Sequence, residues 1–208
     1  MDNLDENKII EDADMQDSAD ESKEPRSVSN KEFALFLLKK FWNTFNWAII
    51  TILVFVITFK FILFGGVVPS ESMETTISKT SLCFGNRLDN DYTRGDIVIF
   101  IGEDGQYLVK RIIGVGGDVI SIEDGVINLN GSVLQEDYVM GTTKNPKGDI
   151  VFKVPENCLF MMGDNRENSL DSRYWNNPYI NEEDVICTVF SYIPFDDPDK
   201  PTWFTSVK

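Results

Sequence analysis

The chain has 208 residues, of which 34 are acidic and 19 are basic, so its formal net charge is -15. That charge argues against nucleic acid as a partner, and the length predicts one domain with appendages. The sequence contains no histidine, which is the usual general base of hydrolases and the commonest zinc ligand. We therefore expect no metal and no cofactor, and any nucleophile needs a base other than histidine.

The first segment of the chain is strongly acidic. Between Met1 and Glu24 the sequence has ten acidic side chains and only two basic ones, Lys8 and Lys23. A segment of this composition buries too little apolar surface to order itself. Residues 1–30 are predicted to be a disordered cytoplasmic tail, and a solvated acidic helix is the alternative.

Residues 47–64 are almost wholly apolar and contain a single charge, Lys60. At ~1.5 Å per helical residue they nearly cross a hydrocarbon layer of ~30 Å. They lack the polar stripe of a soluble helix, and Lys60 lies near the outer end, where its stem reaches the headgroups. Residues 31–66 are predicted to be a juxtamembrane segment and a transmembrane helix. Residues 33–45 either lie at the headgroup level or continue the spanning helix.

The charges that flank this span predict its orientation. Arg26, Lys31, Lys39 and Lys40 precede the span, while Lys79 is the only nearby basic residue after it. The positive-inside rule therefore places the N-terminus in the cytoplasm and residues 67–208 outside. The acidic start and the missing small-residue cleavage site predict an anchor that is retained.

After the span the pattern changes to short β-rich runs separated by Gly, Asn, Asp and Pro. These runs are DIVIF, YLVKRII, DVISI, GVINL, CLFMM and DVICTVFSYI. Asp124-Gly125 and Asn130-Gly131 are signals of hairpin turns, whereas GVGGD at residues 114–118 lacks a full dinucleotide fingerprint and predicts a plain turn. The predicted fold class is mainly β: one N-terminal transmembrane helix, then an extracytoplasmic antiparallel β domain with a small hairpin insertion at about residues 119–150.

Three cysteines, Cys83, Cys158 and Cys187, have no metal-like spacing and cannot all pair within one chain. They are predicted to be small buried apolar residues. A disulfide between two of them is the alternative, since bridges persist outside the cytoplasm.

Two adjacent cations, Lys110 and Arg111, lie inside the apolar run YLVKRII. Because side chains alternate in a strand, they point to opposite faces, and both faces are apolar. Burial favours the neutral form of a lysine, and a neutral amine activates a serine, whereas arginine stays charged. Ser72 belongs to a cluster of hydroxyls directly after the span. We predict Lys110 as general base, Ser72 as nucleophile and Arg111 as a charged structural partner; the alternative is a lysine exposed on an edge strand.

Four segments after the span resemble, in the same order, the sequence boxes of bacterial type I signal peptidases. They are PSESM at residues 69–73, RGDIVIF at 94–100, YLVKRIIGVGGD at 107–118 and GDNRENSLDSRYW at 163–175. The resemblance covers nearly the whole chain beyond the acidic tail. Four ordered boxes after one anchor are far more specific than a single short box.

The resemblance implies a role for each matching position. Ser72 is the nucleophile and Lys110 is the base. The hydroxyl of Ser70 and the backbone N–H of Ser72 form an oxyanion hole, and Ser169 hydrogen-bonds the lysine. The supporting residues are Arg111, an ion pair of Asp171 with Arg173, and the loop residues Asp164 and Arg166.

One departure from the family pattern lies close to the nucleophile. Thr75 stands where the family usually has proline. Proline fixes φ, so its replacement predicts a less constrained segment around the nucleophile.

The resemblance also implies the activity: a membrane-bound serine endopeptidase that removes N-terminal signal peptides from secretory preproteins through an acyl-enzyme. Its partners would be preproteins and membrane lipid, with no nucleic acid and no metal. It would be located in a cell membrane, which it would cross once. Two alternatives stay open. One is a specialised peptidase with the same dyad, such as a pilin-maturation or conjugation peptidase; the other is a catalytically silent β module that binds secreted polypeptides.

Overall fold

The computed structural model describes residues 29–148, 150–195 and 205–207. The predicted acidic tail lies outside the described residues except for its last two positions. By its internal contacts the chain divides between Ile52 and Leu53 into two compact units.

The N-terminal element is one long helix, α1, which spans Asn30–Ile57 and continues into a π-helical turn, Thr58–Ile62. No residue of either segment is buried against protein, and within the described part of the chain this is the one helix long and apolar enough to cross a membrane. Of the two interpretations for residues 33–45, the structure has the continuous helix.

The predicted span ends at Phe64, whereas the structure ends the helix at Ile62 and begins a strand at Leu63. This part of the prediction is wrong because residues 63–68 pair with a partner strand, in a register that sets Leu63 opposite Asn86. Gly65 and Gly66 also favour the change, since glycine is a poor helix former.

Twelve strands follow α1 in the described part of the chain. They are β1 (Leu63–Val68), β2 (Ser81–Asn86), β3 (Ile97–Ile101), β4 (Tyr107–Gly114), β5 (Val119–Glu123), β6 (Val126–Leu129), β7 (Ser132–Val133), β8 (Phe152–Lys153), β9 (Cys158–Met162), β10 (Ile180–Asn181), β11 (Val185–Pro194) and β12 (Thr205–Ser206). Two 3-10 turns, Arg166–Asn168 and Glu182–Asp184, lie among the later strands.

The strands form two antiparallel sheets. The larger has the order β1-β2-β11-β3-β4-β9-β10, with β12 added to β11, and the smaller has the order β7-β6-β5-β8. The mainly β prediction is therefore confirmed, and the six β-rich runs of the sequence coincide with β3, β4, β5, β6, β9 and β11. Three strands of the smaller sheet, β5, β6 and β7, lie in the segment of about residues 119–150 that the sequence marks as a hairpin insertion, and β8 follows just after it.

Both hairpin turns of the smaller sheet form as the sequence predicts. Asp124 and Asn130 have φ of 49° and 53°, and the glycines that follow have φ of 83° and 82°. Two successive residues with positive φ are typical of the turns that match the twist of a two-residue hairpin. GVGGD also forms a turn, between β4 and β5.

The centre of the larger sheet is covered on both faces. Ile97 and Ile99 of β3 pack with Ile77 in one apolar cluster, while Val98 and Phe100 of the same strand lie in another. Burial on both faces explains why β3 is apolar without alternation. β3 and its neighbour β4, which carries the candidate lysine, are thus held in the packed centre of the larger sheet.

All three cysteines are free. Cys83 and Cys187 are buried as predicted, whereas Cys158 is only partly buried and lies 3.5 Å from Asn181 Oδ1. Burial raises the pKa of both buried thiols to about 12, so they behave as apolar side chains.

We expect Phe100→Ala to lower the free energy of unfolding by about 3 to 5 kcal/mol, because it leaves a cavity between packed strands. The measurement is urea unfolding of the full chain in detergent micelles, followed by tryptophan fluorescence. Phe190→Ala is the matched control, since that ring is 40% exposed and its loss should cost less than about 1 kcal/mol. Equal losses for the two variants would contradict the proposed core.

Candidate active site

Ser72 lies in a short helical turn that follows β1. Glu74 N donates to Glu71 O at 3.0 Å and Ile77 N donates to Met73 O at 2.8 Å. Met73 and Ile77 are fully buried in the core, so their packing holds the turn in place. Ser72 itself is only 4% exposed.

Lys110 lies in β4 between β3 and β9, an interior strand of the larger sheet. Its side chain is buried, which excludes the alternative of an exposed lysine on an edge strand. Lys110 Nζ lies 2.6 Å from Ser72 Oγ and donates a second hydrogen bond of 3.2 Å to Val109 O. The structure therefore brings together the amine and the hydroxyl that the sequence singles out, across a separation of 38 residues.

The environment of Lys110 favours its neutral form. Burial lowers the pKa of Lys110 from the ordinary 10.5 to about 8. The Asp171 carboxylate has the opposite effect and raises this pKa. Arg173 lowers the pKa further and Asp164 raises it. Because burial is the largest effect, a substantial fraction of the amine is unprotonated in mildly alkaline solution.

Ser70 lies on the solvent side of the nucleophile. Its side chain is exposed, and its Oγ lies 3.3 Å from Ser72 Oγ. A hydroxyl in this position can turn toward an oxygen that develops charge next to Ser72. Its role in an oxyanion hole stays a prediction.

Ser169 has a different partner from the one that the resemblance implies. Its hydroxyl donates to Asp171 Oδ2 at 2.6 Å, and the described contacts include no hydrogen bond from Ser169 to Lys110. Arg173 Nε and Nη2 donate to the same carboxylate, each at 2.8 Å, so the predicted ion pair of Asp171 with Arg173 forms. Ser169 therefore contacts the carboxylate whose charge raises the pKa of Lys110.

Arg111 and Asp164 form a second buried ion pair. Arg111 Nε and Nη2 donate to the two carboxylate oxygens of Asp164 at 2.8 and 2.6 Å. Thr76 Oγ1 also donates to Asp164, at 2.5 Å. The pair therefore joins β4 to the turn that carries the nucleophile.

Arg166, which the sequence groups with Asp164, pairs with a different carboxylate. It donates to both oxygens of Glu136, at 3.0 and 2.6 Å, and to Thr143 Oγ1 at 2.8 Å. Glu136 lies between β7 and β8 of the smaller sheet, and no motif in the sequence marks it. Its contact with Arg166 therefore could not be predicted from the sequence.

Two further residues that sequence reasoning did not single out hold the nucleophile's backbone. Asn165 N donates to Ser72 O at 3.0 Å, and its side-chain amide donates to Glu71 O at 3.1 Å. Gly163 packs so closely that a Cβ there would lie 2.5 Å from Ser72 O and 2.3 Å from Ser169 Oγ. Both residues lie in the GDNRENSLDSRYW segment, whose match to the family was the available signal.

Thr75 has a φ of 83°, a conformation that a proline ring cannot adopt. In this backbone proline would not tighten the segment, which differs from the expectation drawn from the family pattern. Thr75 Oγ1 instead donates to Tyr138 O at 3.0 Å and ties the nucleophile's turn to a distant part of the chain.

Within residues 29–148, 150–195 and 205–207 no group of three or more acidic or cysteine side chains is placed to hold a metal ion.

Comparison with known proteins identifies the family. The family model described as signal peptidase, peptidase S26, matches residues 41–193. The chain belongs to this family. Signal peptidase I of Bacillus amyloliquefaciens is 33% identical over 166 residues, which cover 73% of this chain and 89% of that protein. Signal peptidase I S of Bacillus subtilis (strain 168) is 32% identical over 170 residues, which cover 74% and 92%.

A crystal structure of a signal peptidase I from Enterococcus faecalis V583 is also similar, with a TM-score of 0.41 and 30% sequence identity, covering 47% of this chain and 96% of that one. Membership of the signal peptidase family makes the chain a serine endopeptidase, and the family's activity is the removal of signal peptides. The family is anchored in membranes, with which the apolar helix of this chain is consistent.

The lowered pKa of Lys110 predicts a pH dependence of stability. Between pH 8 and 10.5 the unfolded chain binds a proton at this lysine that the folded chain has lost, so the free energy of unfolding rises with pH. Across that window the lysine should contribute about 3 kcal/mol. The measurement is urea unfolding of the full chain in micelles at both pH values, for the unmodified protein and for Lys110→Met. The difference between the two proteins isolates the contribution of the lysine, because the cysteines titrate alike in both. Equal pH slopes for the two would contradict a buried lysine of lowered pKa.

Proposed function

We propose that this peptidase removes N-terminal signal peptides from secretory preproteins with Ser72 as nucleophile and Lys110 as general base. The observation that carries the proposal is the distance of 2.6 Å between Lys110 Nζ and Ser72 Oγ, in surroundings that favour the neutral amine. Without a histidine in the chain, this lysine is the base within hydrogen-bond reach of that hydroxyl.

The reaction follows from these positions. Lys110 Nζ takes the proton of the Ser72 hydroxyl while Oγ attacks the scissile carbonyl, and negative charge develops on the carbonyl oxygen. The Ser70 hydroxyl and the backbone N–H of Ser72 stabilise that charge. The protonated lysine then gives its proton to the leaving amine as the C–N bond breaks, which leaves an ester on Ser72.

Water completes the cycle. Lys110, neutral again, takes a proton from a water molecule that attacks the ester carbonyl, and the returning proton releases Ser72 and a carboxylic acid. The ion pairs of Asp164 and Asp171 hold the flanking segments in place during both steps. Positioning of this kind is a large part of what an enzyme supplies, since small displacements of reacting atoms are costly.

The anchor explains why the substrate would be a membrane-tethered preprotein. Ser72 follows Ile62, the last helical residue, by ten positions, so the nucleophile can lie at most ~36 Å of extended chain from the end of the helix. Cleavage then takes place beside the bilayer, where a preprotein is held by its own apolar segment. The flanking charges place the N-terminus in the cytoplasm, the catalytic domain outside and the domain next to membrane lipid.

The dyad is tested by Ser72→Ala, Lys110→Ala and Lys110→Arg, assayed on a preprotein in detergent micelles. Each should lower kcat/KM by about 10³-fold or more, because removing either member leaves no activated nucleophile and arginine cannot lose its proton. Ser132→Ala and Lys153→Ala, at exposed positions, are matched controls that should keep full activity. Cleavage above a tenth of the unmodified rate in any dyad variant would refute the proposal.

The rate should also depend on pH in one direction. Because the base acts as the neutral amine and its pKa is about 8, kcat/KM should rise with pH and level off above roughly pH 9. The measurement is the initial rate of preprotein cleavage in micelles from pH 6 to 10, with recovery of activity on return to pH 8 as the check for damage. A rate independent of pH over this range would argue against a lysine base.

A further inference from the structure

Residues 135–143, here called the strap, lie between β7 and β8 of the smaller sheet and contact residues that support the candidate active site. The strap lies beside the loop that follows β9: Met140 N donates to Asp164 O at 2.8 Å, and Arg166 N donates to Met140 O at 2.9 Å. Met140 also forms a parallel β-bridge with Asn165. The strap is therefore built into the loop that supports the nucleophile.

Tyr138 connects the strap to the buried Arg111 of β4. Its ring lies against the guanidinium of Arg111, with 3.8 Å between the guanidinium carbon and the ring centroid. Its hydroxyl donates to Glu136 Oε1 at 2.8 Å, and its carbonyl accepts the hydrogen bond from Thr75 Oγ1 at 3.0 Å. Burial raises the pKa of Tyr138, so the phenol stays a neutral donor.

These contacts form a continuous path to the nucleophile. The ring of Tyr138 covers the guanidinium of Arg111, which donates two hydrogen bonds to Asp164. Asp164 in turn accepts a hydrogen bond from the hydroxyl of Thr76, which belongs to the nucleophile's turn. An arginine face covered by an aromatic ring is shielded from water, which strengthens the attraction between its other edge and the carboxylate.

The second path is shorter. Thr75 belongs to the same turn as Ser72 and donates directly to the backbone of the strap. Its φ of 83° is strained for a β-branched residue and needs contacts that hold it there. The hydrogen bond to Tyr138 is one contact that can hold this conformation.

We propose that Tyr138 is a positioning residue: its ring on Arg111 and its carbonyl on Thr75 hold the turn that presents Ser72 to Lys110. This inference rests on the proposed Ser72–Lys110 dyad. It gives the strap a function, namely to support the turn that carries Ser72 through the contacts of Tyr138 with Arg111 and Thr75. Tyr138 itself touches neither Ser72 nor Lys110 in the contacts described.

The test compares Tyr138→Leu, Tyr138→Phe and Tyr179→Leu in the full chain in micelles. Tyr138→Leu removes the aromatic face and should lower kcat about tenfold while KM changes less than about twofold. Tyr138→Phe keeps the ring and should retain at least about a third of the activity. Tyr179→Leu removes a tyrosine that packs against the core of the smaller sheet, and should lower thermal stability without lowering kcat.

A second variant keeps the test decisive if Tyr138→Leu does not fold. Thr75→Val preserves the shape of the side chain and removes the hydroxyl that reaches Tyr138, so kcat should fall about threefold or more. If Tyr138→Leu folds with unchanged kcat, if its loss appears in KM alone, or if Tyr179→Leu lowers kcat equally, the inference is overturned. Unchanged kcat in Thr75→Val overturns it as well.

Labelling separates this inference from the proposed function. A serine-directed covalent probe, with the labelled residue identified by mass spectrometry, should modify Ser72 in the unmodified chain and do so about tenfold more slowly in Tyr138→Leu. Labelling of Ser72 at equal rates in both proteins would reject the role of Tyr138 and leave the dyad intact. Absence of labelling at Ser72 in the unmodified chain would reject the dyad and, with it, the inference.

Discussion

The structure depends on one constraint: an amine that is normally charged lies dry within 2.6 Å of a serine hydroxyl. Burying a charged lysine is costly, and the chain meets that cost by lowering the pKa of Lys110 to about 8 rather than by giving it an ion-pair partner. Such a site needs packed protein on every side, because water that entered it would favour the protonated, charged form of Lys110. These packed surfaces are the walls of the site. The interior position of β4, between β3 and β9, supplies two of these walls, and the turn from Ser72 onward supplies another.

Around this neutral amine the chain places three arginines that stay charged. Arg111, Arg166 and Arg173 are each buried, and each is matched by a carboxylate, respectively Asp164, Glu136 and Asp171. Buried pairs of this kind add little to stability compared with apolar packing, but losing one partner is very costly. Their effect is therefore to fix the relative positions of β4, the loop after β9 and the strap. Lys110 is the cation of this group that can lose its proton in mildly alkaline solution, because burial lowers its pKa to about 8.

The sequence predicted the local elements well and the long-range contacts poorly. The strands β3, β4, β5, β6, β9 and β11 and both hairpin turns follow from apolar runs and from turn residues, which act over a few positions. The start of β1 was read as helix, because an apolar run such as LFGGVV suits either structure until its pairing with β2 is known. Ser169, which the family pattern pairs with Lys110, donates instead to Asp171, because the sequence does not rank the possible partners of a hydroxyl.

By itself, the sequence determined the apolar anchor, the mainly β domain, the absence of imidazole and the ordered boxes that mark the signal peptidase family. It also singled out Ser72 and Lys110, because a cation in an apolar strand has a chemical consequence wherever the strand lies. Only the tertiary structure decided that Glu136 and Tyr138 belong beside the site, that Thr75 has a positive φ and that Asp164 joins two segments. Those outcomes depend on pairings across 30 to 88 residues, and no local pattern of residue types encodes which distant groups meet.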